Sequence, residues 1–193
     1  MVKNRILSFC IVVFTGLLSA ACVPTSINPL SHVEEAKVDT RLVGTWVPVS
    51  VKENGYLHFL PGKGGEMDGV VVSFNNKNGG EWMRYSLFSS QINNHSFLNV
   101  RELEKTGKLP NGEKTPYFLV RYQITEKGRL QLWLLSQEAA KEAVRKGLRG
   151  DISKSTFGSN IRITASTEEL AEYLKQVGPT ALFAEPLAIL QRQ

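Results

Sequence analysis

Cysteine is nearly absent from this chain: there are two, Cys10 and Cys22, both near the N-terminus. Everything beyond residue 22 therefore has no internal disulfide and no thiolate metal site. Histidine is scarce as well, with His32, His58 and His95 as the three copies. None stands at a His-x-x-x-His spacing, so no metal centre is expected. A charge excess of one sign is also missing. The formal charge of +5 is spread among 23 basic and 18 acidic residues, too mild for a nucleic-acid-binding face. Catalytic signatures are lacking too. No serine sits in a Gly-x-Ser-x-Gly setting. Gly62-Lys63-Gly64-Gly65 is glycine-rich but lacks the spacing and following helix of a phosphate loop. Glu66 and Asp68 flank a turn without the ligand ladder of a calcium loop. A protein that is not an enzyme, and that carries no cofactor and no metal, is the expectation.

Hydrophobic residues make up 42% of the chain and aromatics 9%, enough for the core of one domain. They are not evenly placed. Lys3 and Arg5 precede an uncharged run, residues 6–21, which ends in Ser19-Ala20-Ala21 before Cys22. A basic start, an apolar run and a small-residue end read as a secretory signal over residues 1–21. The run is short for a full membrane span of about 20 residues. An uncleaved signal anchor and a plain signal peptide ending near Ala20 remain alternatives. Removal of this segment takes Lys3 and Arg5 with it, and the positive charge drops by two.

Leu18-Ser19-Ala20-Ala21-Cys22 resembles the lipobox of bacterial lipoproteins, with Ser19 where leucine is usual and Leu18 one place early. That resemblance implies cleavage between Ala21 and Cys22, a diacylglyceryl thioether on Cys22 and acylation of the new amino group, palmitate being one such chain. Two or more acyl chains anchor stably where one does not. Val23 follows Cys22 where an aspartate is the usual inner-membrane retention signal in diderm bacteria. The resemblance therefore implies the periplasmic face of an outer membrane, if the source is diderm. Residues 22–40, the lipidated cysteine and the stretch behind it, read as a flexible tether. Pro24 and Pro29 break any helix there.

From residue 41 to 193 the pattern is that of one β domain. Strands are expected near 42–51, 55–60, 69–74, 81–89, 96–102, 116–125, 129–135 and 186–192. Between them lie residues that tolerate positive φ, such as Asn75 to Gly80, Asn111-Gly112 and Gly128. Val70, Val72 and Phe74 alternate, as do Phe118, Val120, Tyr122 and Ile124, and Leu130, Leu132 and Leu134. That is a sheet with one dry and one wet face. Pro48 suggests a bulge or an edge position. Two short helices are expected. Residues 137–146 carry Ala140, Ala143 and Val144 on one face. Residues 167–176 open with the capping-box pattern Ser166-Thr167-Glu168-Glu169 and carry Leu170, Tyr173, Leu174 and Val177. The polar segment 149–160 reads as a mobile loop. The expected class is thus mainly β with two short helices, an antiparallel up-and-down barrel or a strongly curved sheet.

Leu42 and Gly44-Thr45-Trp46 are similar to the Gly-x-Trp opening of lipocalins and other calycins. Thr115-Pro116-Tyr117 faintly resembles that family's Thr-Asp-Tyr turn. The run from Tyr117-Phe118 through Ala143-Val144 to Thr164-Ala165-Ser166-Thr167-Glu168-Glu169-Leu170 resembles a group of uncharacterised bacterial lipocalin-like proteins, to which no activity is attached. The resemblance implies an eight-stranded barrel closed by Gly44 and Trp46, with Arg192 packed over the tryptophan. It also implies a small apolar or amphipathic ligand inside. Both helices here precede the last strand, whereas lipocalins place their main helix after the eighth.

Arg84, Arg101 and Arg121 lie on neighbouring expected strands near aromatic residues. Facing inward, they would hold an anionic head group; facing outward, they line a wet surface. The expected role is a membrane-anchored envelope lipoprotein, binding a small hydrophobic ligand. The alternative is a non-catalytic accessory subunit with a protein partner in an envelope assembly.

Overall fold

The computed structural model describes residues 23–50, 55–75, 79–155, 158–184 and 186–193. The expected signal segment, its cleavage point at Ala21, Cys22 itself and the Asn76-Lys77-Asn78 turn lie outside them.

The chain begins with a short β1 (Thr25–Ser26). Seven strands then run consecutively: β2 (Gly44–Pro48), β3 (Gly55–Pro61), β4 (Met67–Asn75), β5 (Gly79–Ile92), β6 (His95–Leu103), β7 (Phe118–Ile124) and β8 (Arg129–Leu134). An excursion follows, made of α1 (Gln137–Arg145), β9 (Gly150–Ser155), β10 (Gly158–Ile163), α2 (Thr167–Val177) and α3 (Pro179–Leu182). The chain returns as β11 (Ala188–Arg192).

Strands β2 to β8 form an antiparallel meander, and β11 slots between β8 and β2 to close an eight-stranded barrel. Leu190 is the keystone, paired with Leu130 on one side and Pro48 on the other. Closure leaves no free edge along those strands. Local chemistry makes the meander possible. Asn93 and Asn94 take φ of 48° and 62° in the β5–β6 turn, the twist that suits a two-residue hairpin. Pro48 ends β2, where its missing N–H costs no interior ladder bond.

Both faces of part of this barrel are buried, so there are two cores. The inner one gathers Trp46, Leu57, Phe59, Leu98, Leu130 and Leu190. The outer one packs α1, α2 and β10 on the outside of β5–β8, through Ile92, Phe97, Leu119 and Trp133. Helix α2 starts on the expected capping box, with Ser166 and Glu169 each satisfying the other's backbone N–H. Leu170 and Leu174 bury beneath it, while Val177 at its end stays exposed.

Two expectations are corrected. The described residues of the expected loop 149–160 are not a loop. Most of them belong to the β9–β10 hairpin, in which Ile161 is buried and pairs with Ile152. Residues 23–40 do not stand off as a tether. Ser26 and Tyr117 exchange backbone hydrogen bonds of 2.9 and 2.7 Å. The Leu30 N–H donates to Asn99 Oδ1 at 2.7 Å, and Asn99 in turn donates to Ser90 Oγ at 2.7 Å. Leu30 is 2% exposed and sits in the outer core. The stretch around Pro24 and Pro29 carries no α-helix, although a single 3-10 turn follows at Val33–Glu35; an extended segment can still pair with β10 and fill an apolar gap.

Candidate functional site

Side-chain parity along the strands decides what the barrel interior contains. On β8, Leu130 is fully buried, Leu132 is 8% exposed and Leu134 is half-buried. On β7, the inward face runs from Tyr122 and Val120, both buried, to a half-buried Phe118. Packing therefore loosens from one end of the barrel toward the other.

The tight end is a floor. Trp46 is 1% exposed, and its indole N–H donates to the Leu42 carbonyl at 2.6 Å. The Arg192 guanidinium lies over the Trp46 ring, 5.0 Å from its centroid, and donates to the Arg41 carbonyl. Gly44, at φ 123°, lets the chain turn into β2 beneath that arginine. Close by, the Tyr122 hydroxyl donates to Asp39 at 2.8 Å. Burial raises the Asp39 carboxyl, but hydrogen bonds from Arg41 and Tyr122 outweigh it and hold the group below the ordinary carboxylate range.

Above the floor the interior is not filled. A cavity of about 100 Å³ is walled by Leu57, Val71, Leu98, Val120 and Leu132, with Gly69 supplying bare backbone. It reaches the loose end, where Val100, Phe118, Leu134, Tyr85 and Glu102 surround the mouth. Apolar walls with a few polar groups at one end are the usual make-up of a small-molecule site.

Tyr85 and Glu102 are direct cross-strand partners. The Tyr85 hydroxyl is pushed well above the ordinary phenol range, by burial first and by the negative charge of Glu102 second. Its hydroxyl donates only a weak contact to Met83 Sδ at 3.4 Å.

None of the three arginines singled out in the sequence lines this cavity. Arg84 and Arg101 lie on the outer face, where they pair with Asp68 at 3.1 Å and Glu113 at 2.9 Å. Arg101 also lies over the Tyr117 ring at 4.9 Å. Arg121 is buried on the outer face with its guanidinium 4.1 Å from the Trp133 ring centroid, and burial lowers its pKa. The anion-binding arrangement inside the barrel is therefore corrected: those three residues alternate outward, away from Val100, Phe118 and Val120. Glu102 was missed because Arg101, its neighbour, drew attention to the opposite face. Its signal was the parity of Leu98, Val100 and Glu102.

The histidines are scattered. His32 meets Glu168 at the surface at 2.9 Å, and His58 bonds Thr45 at 2.7 Å on the outside of β2–β3. Among the described residues no group of three His, Cys, Asp or Glu side chains converges as a metal site. Nor, among them, is any helix long and apolar enough to cross a membrane. A partly exposed aromatic strip lies on the outer face beside the rim. Tyr56, Val72 and Trp82 align across β3, β4 and β5, and Phe74 stacks 6.4 Å from Tyr56.

In comparisons with known protein families, curated proteins and solved structures, the chain matches none.

Proposed function

We propose that this chain is a non-catalytic envelope lipoprotein, held to a membrane by lipid on Cys22, whose barrel takes up an apolar or amphipathic small molecule. The observation that carries the binding half is the apolar cavity, lined by Phe59, Leu87 and Leu190 at its deep end and by Phe118 and Leu134 at the other. A volume of about 100 Å³ is far above the ~10–15 Å³ that one water needs, and apolar cavities of this order stay dry and accept small apolar guests. It suits one short alkyl chain or one ring, not a folded lipid. The anchoring half rests on the lipobox resemblance and the charge-free run before it.

Two experiments test the halves separately. Native mass spectrometry of residues 23–193 with alkyl-chain ligands is expected to give a one-to-one complex. The Ala188→Phe variant, which plugs the cavity wall, abolishes it. No complex with any such ligand would refute the binding role. For the anchor, Cys22→Ala is expected to move the protein from the membrane fraction to the soluble one and to stop acyl labelling. Unchanged sedimentation and migration would refute it.

The exposed Phe74 and Trp82, with half-buried Tyr56 beside Phe74, favour a second reading, an accessory subunit that docks a partner protein through that face. Exposed aromatic surface of this kind marks contact sites. Replacing Phe74 and Trp82 by Ser and losing a cross-linked envelope partner, with ligand binding intact, would favour it over the first.

A further inference from the structure

The polarity of the barrel mouth selects which head group an amphiphile in the cavity can carry. This rests on the binding role above and names its ligand class.

Counting parity from the register places the charges that face inward. On β5 the inward side carries Glu81, Met83, Tyr85 and Leu87; on β6 it carries Leu98, Val100 and Glu102. Glu102 lines the cavity directly, and Glu81 lies further along the rim on the same face of its strand. Among the described residues, the one basic side chain on the inward face of the barrel strands is Arg192. It is spent at the opposite end on Trp46 and the Arg41 carbonyl. Arg84 and Arg101 stand near the same rim but point outward, each already paired with a carboxylate. Among the described residues Glu102 has no ion-pair partner. Glu102 therefore sets an unpaired carboxylate among the described residues that line the mouth, with the Tyr85 hydroxyl beside it as a neutral donor and acceptor.

A carboxylate or phosphate head would be held against Glu102 in a partly desolvated setting, where like charges repel more strongly than in water. An ammonium head would instead gain a charge-assisted hydrogen bond. A hydroxyl head could bond to either group without that gain. We propose that the barrel is selective for single-chain or single-ring amphiphiles with a cationic amine head, and discriminates against fatty-acid-like anions, through Glu102 at its mouth.

The test uses three ligands of equal chain length and different heads: octylamine, octanol and octanoate. Residues 23–193 hold every described strand and helix and both cores, so this span is the folded unit to titrate by calorimetry at pH 7. The expected order is octylamine, then octanol, then octanoate, with at least tenfold between the first and last. Glu102→Gln is expected to weaken the amine and bring it to within about threefold of the alcohol. Octanoate binding as tightly as octylamine, or a preference that survives Glu102→Gln, overturns the selectivity while leaving the cavity as a binding site. If none of the three ligands binds, the binding role itself fails.

Discussion

Trp46→Ala should remove the floor of the barrel, and its cost can be worked out from the contacts. The side chain is 1% exposed in the inner core. Truncating a buried tryptophan to alanine costs about 3–5 kcal/mol from lost burial and the cavity left behind. That range already contains part of the loss of the 2.6 Å hydrogen bond to Leu42, worth ~1 kcal/mol by itself. The Arg192 stacking at 5.0 Å is exposed on its other side and adds only ~0.5–1 kcal/mol. A total near 4 kcal/mol corresponds to a Tm lowered by about 8–16 °C in a domain of this size. Trp82 is the internal control. It is 45% exposed on the outer face, so Trp82→Ala should stay within about 0.5 kcal/mol of the parent. Thermal unfolding followed by far-UV circular dichroism reads both. Near-equal melting of the two variants would refute the assignment of Trp46 as the closing side chain.

Leu30→Ala should cost about 2–5 kcal/mol in a urea titration, because Leu30 is 2% exposed in the outer core; no effect would mean that residues 23–40 are free in solution. Tyr122→Phe should cost about 1–2 kcal/mol at pH 7 by losing the 2.8 Å hydrogen bond to Asp39. Asp39 has a folded pKa below its unfolded one. Its contribution is therefore present above the unfolded value near ~4 and is lost as pH falls through the lower folded value. The cost of Tyr122→Phe should thus shrink between about pH 4 and pH 2; an equal cost at both ends contradicts the pairing.

The barrel strands were legible because most are one-sided somewhere along their length. Leu130, Leu132 and Leu134 alternate with Arg129, Gln131 and Trp133, and the three leucines do face inward. The helices were legible from periodicity and from capping at Ser166. The hairpin β9–β10 was not, since Asp151, Ser153 and Lys154 are exposed and its apolar content is thin. It forms because Ile161 and Ile163 meet the helices in the outer core.

Glu102 was hidden for a related reason. Strand β6 carries apolar residues on both faces: Leu98 goes into the barrel and Phe97 goes out, with its ring 5.5 Å from that of Phe183. Alternation cannot assign a face when both are covered. Without that face, Arg84 and Arg101 were as good candidates for the interior as Glu102.

Local composition alone settled a good deal: the uncharged run at residues 6–21 before Cys22, the β class of residues 41–193, the two main helices and the absence of thiol ligands beyond Cys22. These follow from periodicity and residue type, which need no partner. The tertiary structure alone decided which side of each two-faced strand points inward, that residues 23–40 lie packed on the barrel, and that Glu102 lines the cavity. Each of those depends on contacts between segments dozens of residues apart, such as Leu30 with Asn99 and Arg192 with Trp46, and a linear pattern does not encode which distant surface a side chain meets.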